Sequence, residues 1–319
     1  MAGSYRYLFG PVPSRRFGRS LGVDLTPYKT CSLDCVFCQL GRTQQKTVAR
    51  KEYVPTDAVV EELGHWLRRG GRADYITLAG SGEPSLHSRF GEVLAYIRAH
   101  SSIPAVLLTN GTMLHLSEVR DTAAQANVVK VSLSAWDQSS FGSVNRPHDS
   151  LRLDTVIRGQ MAFRAEFKGA LWLEVFLVPG INSLRSDLRK IAALAQQIRP
   201  DRIHLNTAVR PPAEDFVAPL SREDLESRAA LFSPKAEIIA DFIADPSHGR
   251  RANEDTIVAM LERRPCTAQE IAQVYGMHRN EVAKYLGILL RTGRISAQST
   301  NKSIYYVVKG GKTNSTPGS

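Results

Sequence analysis

Cysteine is scarce in this chain, with four among 319 residues, which excludes a disulfide framework as its source of stability. Long apolar runs are missing too. No stretch of eighteen or more apolar residues occurs, so neither a transmembrane helix nor a membrane partner is expected. The opening residues MAGSYRYLFGPVPSRRFGRS lack the apolar core of a secretory leader, so no signal peptide is expected. These absences together predict a reducing, cytoplasmic setting. Acidic residues are the minority charge. Against 31 Asp and Glu stand 41 Lys and Arg, a formal net charge of +10 that favours affinity for a polyanion. An apolar fraction of 43% in this length is enough for a buried core and more than one domain.

The cysteine that is present is concentrated. The segment TCSLDCVFCQLG, starting at Thr30, holds Cys31, Cys35 and Cys38 within eight residues, while Cys266 stands far away. Three thiolates on one loop can grip one small inorganic centre. A structural zinc site needs four ligands, usually as two separated pairs, and no histidine or fourth cysteine is near. A redox pair of Cys35 and Cys38 leaves Cys31 without a role. A [4Fe–4S] cluster with three protein ligands leaves one iron open and accounts for the count of three. Three incidental buried thiols are the plain alternative.

From the cysteines onward, short β-branched runs alternate with helical patterns. The expected strands are SLGVDL (20–25), YITLAG (75–80), PAVLLTN (104–110), VVKVSLS (128–134), LWLEVFLV (171–178) and RIHLNT (202–207). Expected helices span 56–69, 88–100, 117–126, 153–167 and 184–198. Repeated βα units predict an α/β fold with a parallel sheet, its strands near-continuously apolar because both faces are covered. Six units are too few for a closed eight-strand barrel. The expectation is a partial (β/α)6 TIM-type barrel over 1–245, with its chemistry in loops at the C-terminal ends of the strands.

The pattern then changes. Residues 246–254 read as a polar linker, and 255–308 as a separate module. A helix over 255–263 is followed by a capping box, Thr267 with Glu270, opening a second helix that ends at Gly276. A third helix spans 279–291, with Val282, Leu286, Leu289 and Leu290 expected in the small core. RISAQ and SIYYVV then read as a hairpin around STNK, which gives the order of a winged helix-turn-helix. Residues 309–319 are expected to be a disordered tail.

The spacing C-x-x-x-C-x-aromatic-C, with Phe37 before Cys38 and directly after a first strand, resembles the signature of the radical S-adenosylmethionine (radical SAM) superfamily. Gly80-Ser81-Gly82-Glu83-Pro84, after the second strand, resembles that family's GGEP motif, and Thr109-Asn110-Gly111 closes the third strand as in many members. The agreement runs over about residues 6–207. GPVPSRRFGRSLGVDLTPYKTC, LVPGIN and LNTAVRPPAE resemble a branch grouped with wyosine-base synthases, which modify transfer RNA. Those synthases carry a second cluster on upstream cysteines. This chain has none before Cys31, so the ligand count predicts one cluster and argues against wyosine synthesis itself.

The resemblance implies a [4Fe–4S] cluster on Cys31, Cys35 and Cys38, with SAM on the open iron. It also implies reductive cleavage of SAM to a 5′-deoxyadenosyl radical that abstracts hydrogen from substrate, with a flavodoxin or ferredoxin as electron donor. Phe37 then lies against adenine or packs in the core. Gly80, Gly82 and Glu83 line the methionine end or form an ordinary turn. Ser132 and Ser134 face one way and are candidates for the ribose or carboxylate. Asn182 and Asn206 are candidates for adenine or substrate, and Arg210 for an anionic substrate group. Arg15, Arg16 and Arg19 form a basic run for phosphates or a solvated surface. His65, His87 and His204 lack ligand-like partners in sequence and receive no role.

Three readings of the two modules follow. The first is a radical SAM enzyme acting on tRNA or another nucleic acid, gripped through Arg279, Asn280, Lys284 and Lys302 of the winged helix. The second is a cluster- or SAM-dependent DNA-binding regulator. The third is a radical SAM enzyme whose winged helix docks a protein or peptide.

Overall fold

The computed structural model describes residues 5–14, 16–239, 253–275, 277, 279–300 and 303–309, which fall into two compact units, 5–239 and 253–309. The expected linker and tail lie almost wholly outside the described residues, as do Arg15, Gly276 and Lys302.

In the larger unit the order is β1 (Leu8–Ser14), β2 (Gly18–Val23), β3 (Thr30–Cys31), β4 (Gln45–Lys46), α1 (Thr56–Arg68), β5 (Tyr75–Leu78), α2 (Phe90–His100), β6 (Ala105–Leu108), α3 (Ser117–Ala123), β7 (Val128–Ser132), α4 (Gln138–Asn145), α5 (Leu153–Glu166), β8 (Ala170–Phe176), α6 (Arg185–Ile198), β9 (Arg202–Asn206), α7 (Arg222–Ala229) and β10 (Glu237–Ile238). One sheet has the order β1-β2-β5-β6-β7-β8-β9-β10 and stays open. The six expected strands are its six central ones, β2 and β5 to β9, each parallel to its neighbour. Sequence reading missed both edges. β1 returns antiparallel onto β2, and its prolines hid it. β10 is only two residues long.

Alternation along the strands separates two unlike faces. Leu21, Ile76, Leu107, Val129, Val131, Leu173 and Val175 pack with Val59, Leu63, Phe90, Leu94, Ile157, Phe163 and Ile191 of the covering helices. The other face is apolar at one end and charged further along, so the expected continuous apolar runs hold for the helix side only. Phe17, from the β1–β2 turn, stacks on Trp172 with ring centroids 4.9 Å apart, beside Val106 and Val128. Next along the strands, Glu174 meets Lys130 Nζ at 2.7 Å and Asn206 Nδ2 at 2.7 Å, and it also pairs with Arg16. All four side chains are largely buried.

Two of the basic-run residues therefore do not form a free phosphate patch. Arg16 is turned onto Glu174, and Arg19 pairs with Asp74 at 3.2 Å. A buried guanidinium needs an ionic partner, and Glu174 supplies it. Burial alone would raise the Glu174 pKa, but Arg16 and Lys130 outweigh it and hold the carboxyl well below the usual range. His204 lies buried edge-on against Trp172; burial, with Arg16 nearby, lowers its pKa to about 4. His87 is bonded at Nε2 to the Val54 carbonyl at 2.9 Å.

In the smaller unit the order is α8 (Glu254–Leu261), β11 (Cys266–Thr267), α9 (Ala268–Tyr275), α10 (Arg279–Arg291), β12 (Ile295–Ser299) and β13 (Ile304–Val308), with the sheet order β11-β13-β12. The capping box is present. Thr267 N–H donates to Glu270 Oε2 at 2.8 Å, and Glu270 N–H to Thr267 Oγ1 at 3.1 Å. Val282, Leu286 and Leu289 are buried with Cys266 and Ile271, but Leu290 is 38% exposed, one helical step off the apolar stripe. No described helix is long and apolar enough to cross a membrane.

Candidate functional site

The C-terminal ends of β2, β5, β6, β7, β8 and β9 lie along one edge of the sheet, as parallel register requires, and the loops leaving them meet there. The cysteine loop is tied into this edge by backbone bonds from distant segments. Glu83 N–H reaches the Thr30 carbonyl at 3.0 Å, Lys29 N–H the Ser81 carbonyl at 2.7 Å, and Asp34 and Val36 N–H the carbonyls of Asn145 and Val144 at 2.9 and 3.0 Å. Gly82 lets the glycine turn approach this closely. A Cβ there would lie 1.9 Å from the Thr30 carbonyl oxygen. Asp24, buried after β2, fixes the same turn by accepting from Ser81 N–H at 3.0 Å and Ser81 Oγ at 2.5 Å.

Each thiol of the trio meets a nitrogen donor. Lys29 Nζ lies 3.0 Å from Cys38 Sγ, Asn145 Nδ2 3.2 Å from Cys35 Sγ and Asn110 Nδ2 3.6 Å from Cys31 Sγ. Burial pushes the Cys31 thiol up to about 12 and the Cys35 thiol higher still, so as free side chains both stay protonated. Among the described residues, no group of three or more His, Cys, Asp or Glu is placed to hold a single metal ion. Three partly buried thiols, each with its own donor and none sharing an added protein ligand, fit a small cluster whose positive irons displace the thiol protons. Cys266 is buried in the other compact unit.

Several candidate residues are occupied within the protein itself. Glu83 accepts from Ser85 N–H, Ser85 Oγ, Thr109 Oγ1 and Asn110 N–H, all within 3.0 Å, so its carboxylate joins two loops. Asn182 is wholly buried. Its Oδ1 accepts from Val178 N–H, and its Nδ2 donates to the carbonyls of Ser134 and Phe176, each bond at 2.7 or 2.8 Å. Both N–H donors of that amide are therefore used within the protein. Ser134 Oγ accepts from Phe176 N–H at 3.0 Å. Ser132 stays on the charged face, with Lys130 Nζ at 3.4 Å. Phe37 stacks on Phe176 with centroids 3.9 Å apart, which makes it part of a small apolar cluster with Val36, Val178 and Val217. Asn206 holds Glu174, and Arg210 reaches Gln39 Oε1 at 3.4 Å. Asp137 caps α4 through a reciprocal bond with Ser140.

Sequence reading missed Lys29, Asp24 and Asn145 altogether. Asn145 ends α4, whose sequence QSSFGSVN has too few apolar residues to show a helical stripe. Its one local signal was the capping residue Asp137.

Residues 25–195, more than half of the chain, match the model of the Radical SAM superfamily. A UPF0026 protein of Methanocaldococcus jannaschii is 32% identical over 275 residues, which cover 83% of this chain and 85% of that protein. A protein named GTPase Obg from Brachyspira hyodysenteriae is 33% identical over 305 residues; the match covers 94% of this chain but only 45% of that longer protein. A probable dual-specificity RNA methyltransferase RlmN of Leptospira biflexa is 24% identical over 258 residues, covering 76% of this chain and 67% of its own. Among solved structures, a radical SAM methyltransferase from Sphaerobacter thermophilus superposes with a TM-score of 0.52 at 18% identity, covering 69% of this chain and 65% of that one. TYW1 with a lysine-pyruvate adduct bound superposes with a TM-score of 0.50 at 15% identity, covering 72% and 76%. At those identities the likeness is one of fold. With the family match lying over the three-cysteine loop and the glycine turn joined to it, the chain belongs to the radical SAM superfamily, whose enzymes use a [4Fe–4S] cluster and S-adenosylmethionine.

Proposed function

We propose that this chain is a radical SAM enzyme acting on a nucleic acid, with Cys31, Cys35 and Cys38 holding one cluster and the C-terminal unit, a winged helix-turn-helix, gripping the substrate. The observation that carries the enzyme half is the joining of the cysteine loop to the glycine turn through Thr30, Lys29, Ser81 and Glu83. When bound, the cluster and SAM supply one-electron cleavage of a carbon–sulfur bond and thereby a hydrogen-abstracting carbon radical. The backbone of Gly80 and Gly82 seats the methionyl end of SAM. Glu83 makes the turn and the Thr109–Asn110 loop one rigid rim. Ser132 faces the ribose or carboxylate, and the Phe37–Phe176 stack excludes water from one side. A flavodoxin or ferredoxin delivers the electron.

Replacing Gly82 with Ala is expected to weaken SAM binding about tenfold or more, because its methyl group forces the turn off Thr30 at a cost of roughly 1–3 kcal/mol. Calorimetric titration of SAM into the reconstituted variant checks this. An unaltered affinity would show that the turn is not the methionine seat.

The nucleic-acid half is supported by the net charge of +10, by the relative named as an RNA methyltransferase, and by the helix and hairpin order of the small unit. Arg279, Asn280 and Lys284 are exposed on the first turns of α10; Arg279 also bonds Gln269. Anaerobic reduced protein is expected to yield 5′-deoxyadenosine by chromatography and to bind RNA with strong salt dependence. Lys284→Ala should lower the salt slope by about one unit. Absence of 5′-deoxyadenosine with candidate substrates present would favour the regulator. Its formation without nucleic-acid affinity would favour a docked protein or peptide.

A further inference from the structure

The donors on the three sulfurs come from three separate parts of the chain: the segment before β3, the loop after β6 and the last residue of α4. Lys29 is 3% exposed and Asn145 4% exposed, so neither has ready access to water. Lys29 and Asn110 are aimed by their own bonds. Lys29 lies in the left-handed region at φ +55, its N–H held by Ser81 and its carbonyl accepting from Gln44 and Gln45. Asn110 Oδ1 accepts from Thr112 N–H at 2.9 Å and Thr112 Oγ1 at 2.8 Å. A backbone N–H demands the amide oxygen, so the amide nitrogen must face Ser32 and Cys31.

We propose that Lys29, Asn145 and Asn110 are positioning residues that raise the reduction potential of the cluster by donating to its three cysteine sulfurs, so that a mild one-electron donor can load it. The proposal rests on the reading that these thiolates are the cluster's ligands. Reduction adds one negative charge to the iron–sulfur–thiolate unit. A buried ammonium and two amide dipoles with their positive ends on the sulfurs stabilise the reduced form more than the oxidised one. Lys29 carries a full charge in a medium of low dielectric, so its share is the largest. Such donors on thiolates also ease deprotonation during assembly, but that role leaves the potential of a finished cluster unmoved.

The test is a redox titration of the reconstituted protein without SAM, followed by electron paramagnetic resonance, with iron per chain and visible absorption recorded for each variant. Lys29→Met keeps the shape of the side chain and removes the charge and the donors. At a fixed potential it should hold about tenfold less reduced cluster, which is a midpoint lower by about 59 mV for one electron. Lys29→Arg should recover most of that shift. Asn145→Leu should lower the reduced fraction about threefold. A Lys29→Met midpoint equal to that of the unmodified protein, at equal iron content, overturns the proposal. If Lys29→Met binds no cluster, Asn145→Leu decides by the same criterion. Loss of the cluster from both, in folded protein, also overturns it, because the donors would then govern assembly alone. An unmodified protein that assembles no cluster would instead overturn the ligand assignment.

Discussion

Cys35→Ala is expected to abolish the cluster, while Cys266→Ala keeps about four irons per chain and full 5′-deoxyadenosine formation. Cys35 is partly exposed and Cys266 is wholly buried, but exposure is not what decides their roles. Their company does. Cys35 is one of three thiols on a loop fixed to α4 through Asn145, whereas Cys266 lies in the small unit, with its sulfur directed at the Arg264 carbonyl at 3.5 Å. With one of three ligands gone, two thiolates remain for a cluster that already has an iron without a protein ligand. Iron analysis and absorption after anaerobic reconstitution measure the outcome, and circular dichroism confirms that the variant is folded. A full cluster in Cys35→Ala, or about eight irons in the unmodified chain, would refute the assignment of one cluster to this trio.

Glu174→Gln is expected to destabilise the larger unit by about 4 kcal/mol, since it leaves Arg16 and Lys130 buried without their shared anion. In a unit of this size that corresponds to a fall in melting temperature of roughly 10 °C. Acid acts on the same cluster. The folded pKa of Glu174 lies far below its ordinary 4.5, so its contribution is complete above about 4.5 and is lost as pH falls further. His204 is lowered from 6.5 to about 4, so it folds neutral, and stability drains away as pH falls from about 6.5 to about 4. The unmodified protein should therefore lose stability from near pH 6.5 downward. Glu174→Gln should start lower and show a shallower loss below about 4.5. Melting curves between about pH 2.5 and 8 check both. A Glu174→Gln melting temperature within about 2 °C of the unmodified protein would show that the two cations find other partners.

Much of the architecture was legible because it is written locally. Each of the six central strands appeared as an apolar, β-branched run within a few residues of its true bounds, and α5 and α6 showed their stripes in the same way. The capping box at Thr267 and Glu270 and the helix–helix–helix–hairpin order of 253–309 were readable for the same reason. The β1 hairpin and α4 were not. Prolines argue against a strand except at an edge, and nothing in a short segment says that it will be the edge. A helix with few apolar residues has no stripe to read.

By itself the sequence determined the chemistry the chain can carry: three thiols within eight residues, a glycine turn after the next central strand, and a fourth thiol too far along to join them. It did so because ligand type and spacing on one loop are properties of adjacent residues. Only the tertiary structure decided which polar groups are left to act. Arg16, read as a cation for phosphates or a solvated surface, is turned onto Glu174, 158 residues away, and Asn182, read as a cofactor contact, bonds to the Ser134, Phe176 and Val178 backbone. Asn145, unremarked in the sequence, meets Cys35 across 110 residues. Periodicity fixes the face on which a side chain lies. Its partner is set by which strands and loops the sheet places side by side, and a buried donor or acceptor must take whichever partner it finds there.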